Sequence, residues 1–222
     1  MTAPAGAAFV FKGCVELREA LGEQAGDARE LMDRLERVPA ESVFFHTFGY
    51  FLRHRPFTTA YGNDFARWVT VELGEHALGE RLAVVDPFAF DGLEALRTEL
   101  VSILHTHVRD RAGPPRVERE HAFYFQRSHL VEVPLGLEAA TLAELRAGIA
   151  AADASAIYLH LVEARARLAR PTSDFGEWLR AALGMPALAD RIDRIDAYLT
   201  TLERVRDRLL ALVDEALEGA RA

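Results

Sequence analysis

The sequence has one cysteine, Cys14, and one lysine, Lys12, in 222 residues. A single cysteine excludes an internal disulfide and a cysteine-based zinc site, and it is typical of proteins from a reducing cytoplasm. Arginine carries almost all of the positive charge, and no block of basic residues dominates a segment. With a formal net charge of -8, the chain is not expected to bind nucleic acid or an anionic membrane surface.

Long apolar runs are also missing. No stretch approaches the roughly 20 apolar residues that span a bilayer, and residues 1–6 lack the charged region and apolar core of a signal peptide. The sequence contains none of the motifs of phosphate-binding loops, dinucleotide-binding folds, HExxH metalloproteases, GxSxG hydrolases or kinases. We therefore expect a cytoplasmic globular protein without a recognisable catalytic motif, and enzymatic activity stays open.

What the sequence does contain is an internal repeat. Residues of the second half match residues of the first in the same order, with two small gaps. The number of matches is too large for chance. The matched pairs include His46 with His160, Arg53 with Arg167, Asp64 with Asp174, and Trp68 with Trp178. The sequence predicts repeat 1 at 7–109, a linker at 110–120 and repeat 2 at 121–219, joined in one fused pseudo-symmetric body.

Each repeat predicts the same succession of elements. A short aromatic strand, Phe9-Val10-Phe11 or Phe123-Tyr124-Phe125, is too brief to be stable alone, so we expect the two strands to pair with each other. Apolar residues spaced by three and four positions then predict helices. The predicted fold is mainly α, an internal tandem duplication with pseudo-twofold symmetry, with about five helices and one short strand per copy.

Capping residues predict where several helices begin and end. Pro39 suits the first turn of the first histidine helix, and Asp153 or Ser155 suits the cap of the second. Asn63 and Ser173 are expected to cap the helices that carry the tryptophans, which should end at the C-terminal glycines Gly74 and Gly184. The last helix of each copy is predicted from Leu93 to about Arg109 and from Leu202 to about Leu217.

The candidate site is built on His46 and His160, each followed seven positions later by an arginine, Arg53 or Arg167. Seven positions are about two helical turns, so each histidine shares a face with its arginine. Glu163 lies on the same face as His160. We expect a polar pocket between the repeats that binds an anionic metabolite, since arginine suits phosphate, sulfate or carboxylate groups. The alternative is a pair of buried, hydrogen-bonded histidines that join the halves.

A metal site is a further alternative, in which His46, His160 and Glu163 bind the ion of a metal-dependent enzyme and Asp64 or Asp174 assists. It is not favoured, because Arg53 and Arg167 would repel a cation. No other cofactor is indicated, and no catalytic residue is assigned.

Two further residue pairs have structural and functional interpretations. Asp64 and Asp174 lie beside helix starts. In one interpretation each carboxylate is stabilised by the helix dipole, and in the other each forms an ion pair with the preceding arginine, Arg53 or Arg167. Trp68 and Trp178 share the aspartate face and are core residues or the aromatic wall of a ligand site.

The chain resembles a family of uncharacterised bacterial and archaeal proteins that is classed as a domain of unknown function. The resemblance lies in the paired Phe-x-Phe strands, the apolar run ending in His46, the motif Asn63-Asp64-Phe65-Ala66-x-Trp68 and the motif Glu163-Ala164-Arg165. The resemblance spans nearly the whole chain and implies no particular activity. Members often have a second histidine two positions after the first, where this chain has Phe48, which disfavours a metal site there.

The leading interpretation is a ligand-binding or regulatory protein whose pocket contains His46, Arg53, His160, Glu163 and Arg167. The alternatives are the metal-dependent enzyme and a structural or interaction scaffold without a small-molecule site. The partner is a small molecule or a protein. A homo-oligomer formed through the last helices is a further expectation, since Val205, Leu209, Leu212 and Val213 could pack against a partner helix.

Overall fold

The computed structural model describes residues 7–53, 61–109, 113, 115–165, 172–197 and 200–219. In the first half, strand β1 (Phe9–Ala25) precedes α1 (Ala28–Leu35), α2 (Ala40–His46), α3 (Phe48–Arg53), α4 (Asp64–Val71), α5 (His76–Ala83) and α6 (Leu93–Arg109). In the second half, strand β2 (Phe123–Ala139) precedes α7 (Leu142–Ala151), α8 (Ala154–Ile157), a π-helical turn (Tyr158–Glu163), α9 (Asp174–Ala182), α10 (Pro186–Asp193) and α11 (Leu202–Gly219). Short 3-10 helices lie at Pro87–Ala89 and Arg119–His121.

The prediction of a mainly α fold with one short strand per copy is wrong. Each strand is 17 residues long, and the two form an antiparallel two-stranded sheet, so the fold combines α and β structure. The predicted pairing of the strands is confirmed, and the helix count is close to the one expected. The length escaped prediction because Gly13 and Gly22 in β1, and Pro134 and Gly136 in β2, are residue types that are depleted in strands. Beyond the aromatic start of each strand, most side chains are exposed or half-buried.

The predicted helix ends are largely confirmed. The Asn63 side chain accepts a hydrogen bond from Ala66 N at 2.8 Å, and the Ser173 hydroxyl accepts one from Gly176 N at 3.0 Å. Gly74 and Gly184 follow α4 and α9 with φ angles of 69° and 61°, which side chains with a Cβ rarely adopt. The helix ends could be predicted from the sequence because each capping residue acts on unpaired backbone groups within three or four residues of itself.

Neither histidine helix is a regular α-helix. In the first copy, Thr47 separates α2 from α3 with φ and ψ of -111° and -83°, immediately after His46. In the second copy, His160 lies inside the π-helical turn, where each turn contains an extra residue. The same place in both repeats therefore departs from α geometry, and in both it carries the histidine.

The described residues form two compact units that do not coincide with the repeats. The His160 unit contains the described residues of 7–15 and of 130–219, and the His46 unit contains those of 16–53 and of 61–129. The aromatic start of β1 thus belongs with helices of the second repeat, and the start of β2 belongs with helices of the first. The fused body expected from the sequence stays a prediction.

In each unit the aromatic start of the strand packs into a core of rings. The Phe9 ring stacks on Phe175 at a centroid distance of 5.0 Å in the His160 unit, and Phe123 stacks on Phe65 at 5.2 Å in the His46 unit. Buried aromatic rings contribute large apolar areas, which makes these contacts the centre of each core.

Both tryptophans are buried and hold the chain just before a strand. Trp178 Nε1 donates a 2.7 Å hydrogen bond to the carbonyl of Ala7, and Trp68 Nε1 donates one of 2.7 Å to the carbonyl of His121. The core interpretation of the tryptophans fits this placement, because each indole fills its unit's core and uses its one donor on the main chain.

The last helix packs inside the His160 unit. Val205, Leu209, Leu212 and Val213 are all buried, and the helix α11 that carries them contacts α7, α8 and α10. These side chains contribute to the unit's own core, and the proposed homo-oligomer stays a prediction. Within the described residues, no helix combines the length and the apolar composition needed to cross a bilayer.

The close approach of β1 to α7 depends on Gly148. A Cβ atom built at this position would overlap the Phe11 ring. We expect Gly148→Ala to lower the free energy of unfolding by about 1–2 kcal/mol, because overpacking outweighs the gain of about 1 kcal/mol in helix propensity. Chemical denaturation measures the change. Gly219→Ala is the control, since a Cβ there meets open space, and an equal effect of both variants would contradict the prediction.

Candidate functional site

The His46 ring is buried and both of its nitrogens are hydrogen bonded within the His46 unit. Nε2 accepts a hydrogen bond of 3.1 Å from the main-chain N–H of Gln126, on β2. The proton therefore lies on Nδ1, which donates to Asp64 Oδ2 at 2.9 Å. The ring is neutral, since protonating Nε2 would set two donors against each other.

His160 repeats this arrangement within the His160 unit. Its Nε2 accepts a 2.9 Å hydrogen bond from the main-chain N–H of Lys12, on β1, and its Nδ1 faces Asp174 Oδ2 at 2.9 Å. Each histidine therefore holds the strand of the other repeat against its own helices. The interpretation of hydrogen-bonded histidines that join the repeats describes this geometry.

The two histidines lie in different units, and each is engaged inside its own. Glu163, the third member of the proposed metal set, ends the π-helical turn and is half-buried. Among the described residues, no group of three or more His, Cys, Asp or Glu side chains could hold a metal ion. A ring nitrogen already bonded to a main-chain N–H cannot serve as a ligand or a general base unless the strand moves away.

Arg53 binds an internal carboxylate. Its side chain is buried, donates a 2.8 Å hydrogen bond to the carbonyl of Phe45, and forms ion pairs with Asp64 and, at 3.5 Å, with Glu16. The guanidinium also lies over the Phe45 ring, 3.8 Å from its centroid. The predicted pairing of Asp64 with Arg53 is confirmed, and the anion that Arg53 suits is supplied by the chain itself. Arg167, its counterpart, lies outside the described residues.

Gly49 gives Arg53 the room for this fold-back. A Cβ at position 49 would stand 2.8 Å from Arg53 Nη1, so a larger residue would displace the guanidinium. Gly49 is the counterpart of Glu163 in the second copy. The two copies therefore have different residues at this position, although the contacts between histidine and aspartate are the same in both.

Burial lowers the pKa of His46 from its usual range, because the core disfavours the imidazolium. The hydrogen bond to Asp64 acts in the opposite direction but does not overcome burial. The Phe123 and Phe65 rings, with centroids 4.7 and 5.4 Å from the imidazole, supply the apolar surroundings. His46 is thus a neutral structural group at pH 7.

A second candidate site lies in the His160 unit and was missed by sequence reasoning. An open cavity of about 550 Å³ is lined by Arg191, Arg194, Ile195, Asp196, Thr200, Arg204, Val205, Arg208 and Leu212. We call it the arginine cavity. Arg191 forms an ion pair with Glu215. In the described part of the chain, no carboxylate forms an ion pair with Arg194, Arg204 or Arg208.

The overlooked signal for this cavity is a difference between the two copies. In the alignment of the repeats, Arg194, Arg204 and Arg208 stand where the first copy has Val84, Ala95 and Glu99. A search for residues that match between the repeats discards such positions. A search for positions where charge changes between otherwise matching helices would have found them.

Comparison with known proteins identifies relatives but no activity. The model of DUF5752, a family of unknown function, matches residues 6–214. Among solved structures, the chain is similar to OrfY from Thermoproteus tenax, with 28% sequence identity and a TM-score of 0.80, over 96% of this chain and 97% of that one. No match is found among curated proteins.

The lowered pKa of His46 makes stability depend on pH. Below the unfolded-state pKa of about 6.5, His46 binds a proton in the unfolded chain but stays neutral in the folded chain. The free energy of unfolding therefore falls as pH falls. The expected slope is at most about 1.4 kcal/mol per pH unit. Denaturation of wild type and His46→Gln between pH 7.5 and 5 tests this. The difference in unfolding free energy between the two proteins should shrink as pH falls. If their curves of unfolding free energy against pH are parallel, the His46 ring is not a neutral buried group.

Removing the other imidazole should release β1. We expect His160→Ala to cost about 2–4 kcal/mol of folding free energy, because the Lys12 N–H loses its acceptor and a cavity is left. Hydrogen exchange should show faster exchange of the Lys12 amide than of the α11 amides. His129→Ala, at an exposed histidine of β2, is the control and should change stability by less than about 0.5 kcal/mol. Unchanged Lys12 exchange in His160→Ala would show that the ring does not hold the strand.

Proposed function

The chain belongs to the DUF5752 family, whose function is unknown, and we propose that it binds a small anionic ligand in the arginine cavity. The observation that carries this proposal is the presence of Arg194, Arg204 and Arg208 around one cavity without ion-pair partners among the described residues. Guanidinium groups match carboxylate and phosphate oxygens in geometry as well as in charge.

The charge of the cavity supports an anion. Of the described residues that line it, four are arginines and one, Asp196, is an aspartate. Even with Arg191 paired to Glu215, these side chains leave the lining positive, although the whole chain carries a formal charge of -8. Positive walls around a concave surface concentrate the field and attract anions from solution. The volume of 550 Å³ is within the range of about 300–1,000 Å³ of small-molecule sites.

The histidine sites are less suited to a ligand. Each ring uses both nitrogens within its own unit, and Arg53 is occupied by Asp64, Glu16 and a carbonyl. A ligand at either site would have to compete with buried intramolecular contacts. These contacts disfavour both a small-molecule ligand and a metal-dependent reaction at the histidines.

Pyrophosphate is a suitable first probe of the cavity. We expect it to raise the melting temperature of the wild-type protein, since a ligand at 100 times its Kd stabilises by about 2.7 kcal/mol. Arg204→Ala and Arg208→Ala should each weaken binding about tenfold or more, because a charge-assisted hydrogen bond contributes about 1.5–3 kcal/mol. Thermal shift and isothermal titration calorimetry measure these effects.

Arg81→Ala is the matched control for these variants. Arg81 is exposed and is the counterpart of Arg191 in the first copy, where the neighbouring arginines are missing. Its substitution should leave pyrophosphate binding unchanged. The proposal fails if pyrophosphate does not bind, or if Arg81→Ala weakens binding as much as Arg204→Ala does.

A further inference from the structure

The arginine cavity has two chemically different parts. Its charged part consists of exposed arginines, whereas Ile195, Val205 and Leu212 present a buried apolar floor. Inorganic phosphate is about as large as a few water molecules, each of which occupies about 30 Å³. It would therefore fill only a small fraction of the cavity volume of 550 Å³. An anion alone therefore matches the arginines but not the remaining space.

We propose, resting on the anion site argued above, that the ligand is an organic phosphate bound once per chain. Its phosphoryl groups pair with Arg194, Arg204 and Arg208, and its organic part lies against the apolar floor. Thr200, which also lines the cavity and is half-buried, offers a hydroxyl to a polar group of that organic part. Apolar contact combined with a few placed polar groups is the usual composition of a small-molecule site.

Comparison of the copies separates what the fold needs from what a ligand needs. The floor residues have apolar counterparts in the first copy, Val85 for Ile195, Leu96 for Val205 and Ile103 for Leu212, and all three floor residues are buried. The core therefore requires them in both copies. The arginines have no such requirement, because the first copy forms the same helices with valine, alanine and glutamate in their places.

The spacing of the arginines adds an independent argument. Arg204 and Arg208 are four residues apart on α11, so they are neighbours on one helical face, where like charges destabilise a helix. Arg194 follows the end of α10 and faces the same cavity from a second element. A phosphate that shares its negative charge among these groups would relieve the repulsion. The first copy has Ala95 and Glu99 at the helical pair and avoids the repulsion altogether.

The class of ligand is tested with matched pairs of probes in isothermal titration calorimetry on the full chain. ATP is compared with tripolyphosphate, and glucose 6-phosphate with inorganic phosphate, because each pair has the same number of phosphoryl groups. We expect one site per chain, with the organic member of at least one pair binding about tenfold more tightly. Arg204→Ala should weaken both members of that pair about tenfold.

The apolar floor is tested with two leucine variants of α11. Leu212→Ala should weaken the organic phosphate about three- to tenfold and leave its inorganic partner unchanged, because only the organic part contacts the floor. Leu209→Ala is the control, since Leu209 is equally buried but does not line the cavity. It should destabilise the fold while leaving the affinity of both probes unchanged.

The possible failures are distinguishable. If neither polyphosphate nor any organic phosphate binds, both the anion site and its ligand class are wrong. If inorganic probes bind as tightly as their organic partners in both pairs, or if Leu212→Ala weakens them equally, the organic phosphate is wrong and the anion site stands. Two equivalent sites per chain would contradict the assignment to the second copy alone.

Discussion

The structure depends on one interaction made twice, a main-chain N–H of a strand donating to the Nε2 atom of a buried histidine. Gln126 makes it with His46, and Lys12 makes it with His160. A strand edge presents donors that must be satisfied when they are buried, and a neutral imidazole oriented by an aspartate satisfies one of them. Because each strand belongs to the opposite repeat from its histidine, neither repeat completes its core with its own residues alone.

Several other features follow from this constraint. The His46 ring must stay neutral to accept the strand N–H, and it lies among phenylalanines, where burial disfavours its protonation. The helix leaves α geometry beside each histidine, at Thr47 in one copy and in the π-helical turn in the other. Each tryptophan then binds the segment in front of the same strand. Four hydrogen bonds from two residue types thus position both strands.

Much of the fold could be predicted because its signals are local. Asn63, Ser173, Gly74 and Gly184 act on backbone groups within one helical turn, so the sequence alone indicates their roles. The long strands could not be predicted, because their outer parts are stabilised by pairing with a strand more than 100 residues away. The same applies to the candidate site: the histidines were found by repetition, but their partners on the strands are main-chain groups, which any residue supplies.

Duplication also explains why the residues that match between the copies are used by the fold itself. His46, Asp64 and Trp68 match their counterparts because both copies must solve the same packing problem, and each is occupied by an intramolecular partner. A position that differs between the copies is released from that requirement, since the other copy folds without it. Three arginines at such positions line one cavity in the second copy. The proposed ligand site therefore rests on charge that differs between the copies above an apolar core that matches, and not on the repeated motif.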